Sequence, residues 1–102
     1  MDNTELNAAI AAKPGPKVTP ERIDEVIAYH HFVLVSESSL TICIITLQNG
    51  FTVFGESACA DPANFDAEIS RQIAFRNARE KIWALEGYLL KQRLYEEGQN
   101  NG

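Results

Sequence analysis

The hydrophobic pattern changes period near residue 30. Ile23, Val26, Ile27 and His30 fall at i, i+3, i+4 and i+7, which is one stripe of a helix. Thr19-Pro20-Glu21 reads as its start, with Thr19 as cap, Pro20 at the first helical position and Glu21 against the dipole. The stripe predicts a short helix over 20–29. His31-Phe32-Val33-Leu34-Val35 is then a β-rich run, and Ser36-Glu37-Ser38-Ser39 a turn. Leu40 to Leu47 reads LTICIITL, apolar on both faces, as in a central strand covered on both sides. Asn49-Gly50 favours a type I′ turn, so strand 40–48 folds back onto 51–57. In that register Gln48 faces Phe51 and Cys43 faces Glu56.

Asp61-Pro62-Ala63-Asn64 is the next turn, and Asn64 or Asp66 caps a long helix. Ile69, Ile73, Ala78, Ile82, Leu85 and Leu89 make its apolar stripe. Glu86-Gly87 is a point where that helix can bend. These elements predict an α+β fold: a three-stranded antiparallel β-meander packed on a long C-terminal helix, with a short helix before the sheet. Residues 2–12 suit a short Ala-rich helix, and Pro14-Gly15-Pro16 breaks the chain after it. Residues 1–17 are therefore an arm or linker, 18–95 a single domain, and 96–102 a frayed polar tail. One helix layer covers one sheet face, so the remaining apolar face calls for a homo-oligomer.

Composition narrows the class of function. With 45% hydrophobic and 23% charged residues the chain is neither disordered nor a membrane protein. Its longest charge-free run, Ser38 to Gly55, carries Ser39, Thr41, Thr46, Gln48 and Asn49, and reads as strands. MDNTELNAAIAAK begins acidic and has no apolar core, so it is no signal peptide and the default location is the cytoplasm. A net charge of −5 argues against generic nucleic-acid binding. The charge is uneven: residues 1–65 hold three basic and eight acidic groups, and residues 66–95 six basic and four acidic. A locally basic helix on an acidic protein can hold one small anion.

Two candidate sites follow. The stretch GESACADPANFD joins a strand end to a helix N-terminus, where free backbone N–H groups collect. Glu56, Ser57, Asn64 and Asp66 are its candidate ligand-binding residues; the structural alternative is that they satisfy backbone groups in a tight junction. The second site is the helix bearing Arg71, Arg76, Asn77, Arg79 and Lys81. Arginine suits planar phosphate recognition, and Phe54, Phe75 or Trp83 can stack on a base. The alternative there is a solvated face with pairs such as Arg76–Glu80.

Catalysis would need Cys59 or Ser57 beside His30 or His31, and no signature surrounds either. A metal would need His30, His31, Cys43 and Cys59, which lack close ligand spacing. Adjacent His30 and His31 point to opposite sides if extended, one buried and one exposed. No catalytic residue, metal or cofactor is therefore assigned. Cys59 lies roughly 10 Å along the strand from the position facing Cys43, too far for an intrachain disulfide unless the strand bends after Gly55.

The runs Asn49-Gly50-Phe51, Gly55-Glu56-Ser57-Ala58-Cys59, Asn64-Phe65-Asp66, Lys81-Ile82-Trp83 and Leu85-Glu86-Gly87-Tyr88 together resemble the gene forty-nine-like family of small tailed-phage proteins. The resemblance runs from about Val18 to Leu94. Ala84 stands where that family often has proline, which softens any kink. It implies a phage or prophage origin and a bacterial host cytoplasm. The hairpin-then-helix pattern around GFTV and NFD is more loosely similar to phage counter-defence proteins that sequester cyclic nucleotide signals. The reading that follows is a small phage accessory protein, a non-enzymatic binder of a nucleotide-like ligand. The alternatives are a module that inhibits a host protein and a small hydrolase.

Overall fold

The computed structural model describes residues 1–101, with side chains through Gln99; the last residue of the predicted tail, Gly102, lies outside the described residues. The order of elements is α1 (Asn3–Ala11), α2 (Pro20–Glu25), β1 (Ile27–Leu34), β2 (Thr41–Leu47), β3 (Thr52–Ser57), a 3-10 turn (Pro62–Asn64) and α3 (Ala67–Asn101). The strands form one antiparallel sheet in the order β1-β2-β3, and α3 packs across it. This is the α+β meander-on-helix that the pattern predicts.

The helix predicted over 20–29 is only six residues long. Thr19 caps it, its hydroxyl accepting from the Arg22 N–H at 3.1 Å. Ile23 and Val26 are buried as expected. Val26 ends the helix, and its carbonyl accepts from the Gln48 N–H at 2.8 Å. β1 therefore begins at Ile27, four residues earlier than predicted, and His30 lies in a strand. Pairing along the length of β2 overrides the short helical stripe, as β-branched and aromatic residues allow.

The hairpin register is also one residue from the prediction. Cys43 faces Gly55, and Ile42 faces Glu56. The loop holds three residues. The Gly50 N–H donates to the Leu47 carbonyl at 2.9 Å, and Leu47 N–H donates to the Phe51 carbonyl at 2.8 Å. Gly50 has φ 90°, whereas Asn49 has no positive φ. This is the turn followed by a left-handed glycine bulge, and not the type I′ turn, which needs positive φ at both central residues. The consequence is large because one residue of slip exchanges sheet faces. Val53 and Gly55 face α3; Thr52, Phe54 and Glu56 face away.

Gly55 explains how close α3 lies. A Cβ built there would fall against the Ala78 backbone nitrogen, 2.6 Å from the Asn77 carbonyl carbon and 2.7 Å from the Ala74 carbonyl oxygen. Helix backbone rests directly on strand backbone. The helix accordingly buries Ser70, Ala74, Ala78, Ile82 and Glu86, every fourth residue and mostly small. Ile69 and Leu89 from the predicted stripe are instead 58% and 55% exposed. Ile23, Val26, Cys43, Ile45, Leu47 and Val53 complete the core. Each fully buried isoleucine contributes about 1.5–3 kcal/mol.

Two further expectations are corrected. α3 does not break at Glu86-Gly87 and continues helical through the predicted tail to Asn101. β2 is covered on one side only: Cys43, Ile45 and Leu47 are buried, while Ile42, Ile44 and Thr46 are half-buried on a face with no second layer.

Candidate functional site

Two carboxylates of the junction after β3, Asp61 and Asp66, are engaged with backbone. The Ser39 hydroxyl donates to the Cys59 carbonyl at 2.9 Å and accepts from the Cys59 N–H at 3.2 Å, tying the junction to the β1–β2 turn. Asp61 accepts from the Ala63 N–H at 3.0 Å, and Asp66, not Asn64, caps α3 by accepting from the Ile69 N–H at 3.0 Å. Ser57 ends β3 half-buried opposite Thr41. Asn64 is exposed at the end of the 3-10 turn.

The arginines of α3 diverge. Arg71 pairs with Glu68 of its own helix at 2.8 Å. Hydrogen bonds from Gln72 and Arg71, with the Arg71 charge, hold the Glu68 carboxyl below its usual value. Arg79 reaches the other way, to Asp24 at 2.9 Å and the Pro20 carbonyl at 3.2 Å, and fastens α2 to α3. Arg76 is exposed, and the expected Arg76–Glu80 pair is not among the ion pairs of the described residues.

What the fold does assemble is a platform along the β3–α3 edge. Phe54 is 56% exposed on the open sheet face, and the Lys81 ammonium lies 4.3 Å from its ring centroid. Glu56 follows Phe54 on the same face, its carboxylate exposed. Asn77, one turn before Lys81, donates from Nδ2 to the Glu56 carbonyl at 2.9 Å, which fixes the edge and leaves its own oxygen free as an acceptor. An aromatic surface, a cation, a carboxylate and an amide are thus adjacent. Phe54 and Lys81 were each legible as candidates; their contact was not, because it depends on the bulged register.

A second feature lies between α2 and α3. The carboxylate of Glu86, nine-tenths buried, accepts from Arg22 Nε at 2.8 Å, an interaction that raises the Arg22 pKa. Beside this pair lies a cavity of about 360 Å³ walled by Val26, Leu47, Phe51, Leu85 and Leu89. A more polar one of about 610 Å³ adjoins it, with Lys17 and Arg93. The available signal was Glu86 itself, a charge at i+4 from Ile82 inside an apolar stripe.

The histidines and cysteines do not converge. Both histidines are exposed, not one buried and one exposed. His30 lies on the helix side against Phe32 and Phe75, with ring centroids 5.4 and 4.9 Å away. His31 pairs across Ile44 with the row of Phe54, and Cys59 lies five residues past Phe54, so no Cys–His dyad forms. Both thiols are free, and burial pushes the Cys43 pKa up. No helix among the described residues is long and apolar enough to cross a membrane.

Residues 18–94 match the model of the Phage protein (N4 Gp49/phage Sf6 gene 66) family. The chain belongs to this family. No curated protein and no solved structure gives a significant match. The family span takes in the whole sheet, the platform and the Arg22–Glu86 groove, and leaves out the arm with α1. The chain is therefore a small phage accessory protein.

Proposed function

We propose that this phage protein acts by capture and not by catalysis, holding a nucleotide-like ligand at the β3–α3 edge to blunt a host signal. The observation that carries the reading is the Lys81 ammonium 4.3 Å from the ring centroid of a largely exposed Phe54. Base–aromatic stacking contributes about 1–3 kcal/mol and tolerates any base. Lys81 supplies a charge for a phosphate, and Glu56 and the Asn77 oxygen accept from sugar hydroxyls or an exocyclic amine. Arg76 lies about 140° around the helix from Lys81 and takes no part in the platform. Native mass spectrometry of protein purified from bacteria, against its denatured mass, tests this. The expected result is a releasable adduct of nucleotide mass, lost in Phe54→Ala and Lys81→Glu. Retention of the adduct in both variants, or no binding of any added nucleotide by the wild type, would remove the reading.

A second reading, inhibition of a host protein, draws on the Arg22–Glu86 groove. Exposed Phe51, Tyr88 and Leu89 flank an arginine there, and aromatic residues with arginine are the composition of interface hot spots. A host protein retained by the wild type and lost with Leu89→Glu would support it. Retention by that variant would count against it.

A further inference from the structure

We infer that a second copy of this chain covers the open sheet face, and that its edge completes the ligand site at Phe54 and Lys81. The second half rests on the capture reading above; the first half stands without it. The register arranges the open face in three rows: Val33-Ile42-Glu56, His31-Ile44-Phe54 and Tyr29-Thr46-Thr52. Tyr29, Val33 and Phe54 are 62%, 42% and 56% exposed, and Glu56 is the one carboxylate among the nine. A strand that is apolar on both faces normally has both faces covered. Within one copy α3 covers only the side of Cys43, Ile45 and Leu47.

The chain's own arm is not the cover. α1 buries no residue, its Leu6 and Ile10 are about half exposed, and it lies outside the family span whereas the sheet face lies wholly inside it. A second sheet fits the area. Three strands roughly 4.8 Å apart and rows of roughly 7 Å give a footprint on the order of 15 by 20 Å. Interdigitating side chains and a rim bring the burial to on the order of 600–800 Å² per copy, close to the roughly 800 Å² of a standard interface. Two sheets pack face to face about 10 Å apart, and Ile44, the centre of the middle row, is the residue such a packing buries most deeply.

This arrangement changes what Phe54 offers. Neither of the two cavities described above includes Phe54 or Lys81; one copy presents them as an open platform at the sheet edge. Phe54 sits on β3, at the edge of the sheet, and Lys81 reaches it from α3. A facing sheet places its own edge strand above Phe54 and leaves a slot at the rim for a planar ring.

The test is sedimentation of the full chain, with anisotropy of fluorescently labelled ADP on the same samples. The wild type is expected to sediment as a dimer. Ile44→Lys and Val33→Glu alter half-buried or exposed positions and are expected to give monomers of unchanged helix content by circular dichroism. Each is expected to lose at least about tenfold in affinity for the probe although Phe54 and Lys81 are intact. A monomeric wild type overturns the interface, as do folded variants that stay dimeric. A monomeric variant that binds the probe like the wild type overturns the completed site. A dimer lost in the variants, with no probe bound by any form, upholds the interface and sinks the capture reading.

Discussion

Replacing Gly55 with alanine probes the contact on which the whole arrangement depends. The added methyl meets three backbone atoms of α3, from Ala74, Asn77 and Ala78, and no flexible side chain that could step aside. Helix and strand must part by about 1 Å to restore ordinary contact. A gap of 0.5–1 Å forfeits about a quarter to a half of each dispersion contact across it. The contacts affected are those of Ala74, Ala78 and Ile82 with Cys43, Ile45 and Val53, all 7% exposed or less. Overpacking of a side chain costs about 1–3 kcal/mol; with rigid backbone on both sides the expected cost is at the upper end, about 3 kcal/mol. A domain of this size is stable by about 5–15 kcal/mol, and 1 kcal/mol moves its Tm by about 4–8 °C. Thermal unfolding followed by circular dichroism, at fixed protein concentration, should therefore show Tm lower by about 12–24 °C. Gly87, where an added Cβ meets nothing within 4 Å, is the control: Gly87→Ala should raise stability by about 0.5–1 kcal/mol. If Gly55→Ala melts within about 2 °C of the wild type, helix and sheet are not in backbone contact and the explanation of the small-residue row is wrong.

The remaining predictions concern single groups. Arg22→Met should lower Tm by leaving the Glu86 carboxylate buried without its partner, and adding Glu86→Leu should recover most of the loss, since an apolar pair often replaces a buried ion pair without penalty; failure of the double variant to recover would refute this account of the pair. Thiol alkylation of the native protein should modify the half-exposed Cys59 and leave Cys43 untouched until denaturant is added, by peptide mass mapping; prompt labelling of Cys43 would contradict its burial. Glu68 has a folded pKa below its unfolded value, so its contribution is present above that unfolded value and lost as pH falls through the folded one. The small Tm difference between wild type and Glu68→Gln should therefore shrink as pH falls through and below the ordinary carboxylate range, and a difference that grows on acidification would reverse the assignment.

The elements were legible because their signals are local. Thr19-Pro20 marks a helix start by capping chemistry, and Asn49-Gly50 marks a hairpin by its positive-φ glycine. The register was not legible, because Asn-Gly serves both a two-residue turn and a three-residue bulged turn, and the choice depends on how the strands fit α3. The end of α2 was misread for a related reason: Ile27 and His30 continue a helical period, but pairing with Leu47 and Ile45 in β2 decides their state. Of the candidate site, Glu56 and Asn77 do meet, through a main-chain carbonyl. Arg71 and Arg79 were indistinguishable from ligand-binding arginines in the sequence, since their partners Glu68 and Asp24 lie one turn and 55 residues away.

The same glycine that lets α3 lie close also sets what the other face of the sheet can do. Because Gly55 must face the helix, Phe54 and Glu56 must face away from it, by the alternation of a strand. Because α3 lies so near, Lys81 can pass the edge of β3 and reach a ring on the far side. A larger residue at 55 would push the helix out and withdraw that ammonium. Gly55→Ala should then weaken any ligand of the platform along with the fold, whereas Phe54→Ala should remove the ligand at a much smaller cost in Tm, since within one copy an exposed side chain adds little to the core. Binding and unfolding measured on this pair of neighbours separate the two faces of one strand. Equal loss of stability in both variants would mean that Phe54 belongs to the packing and not to a site.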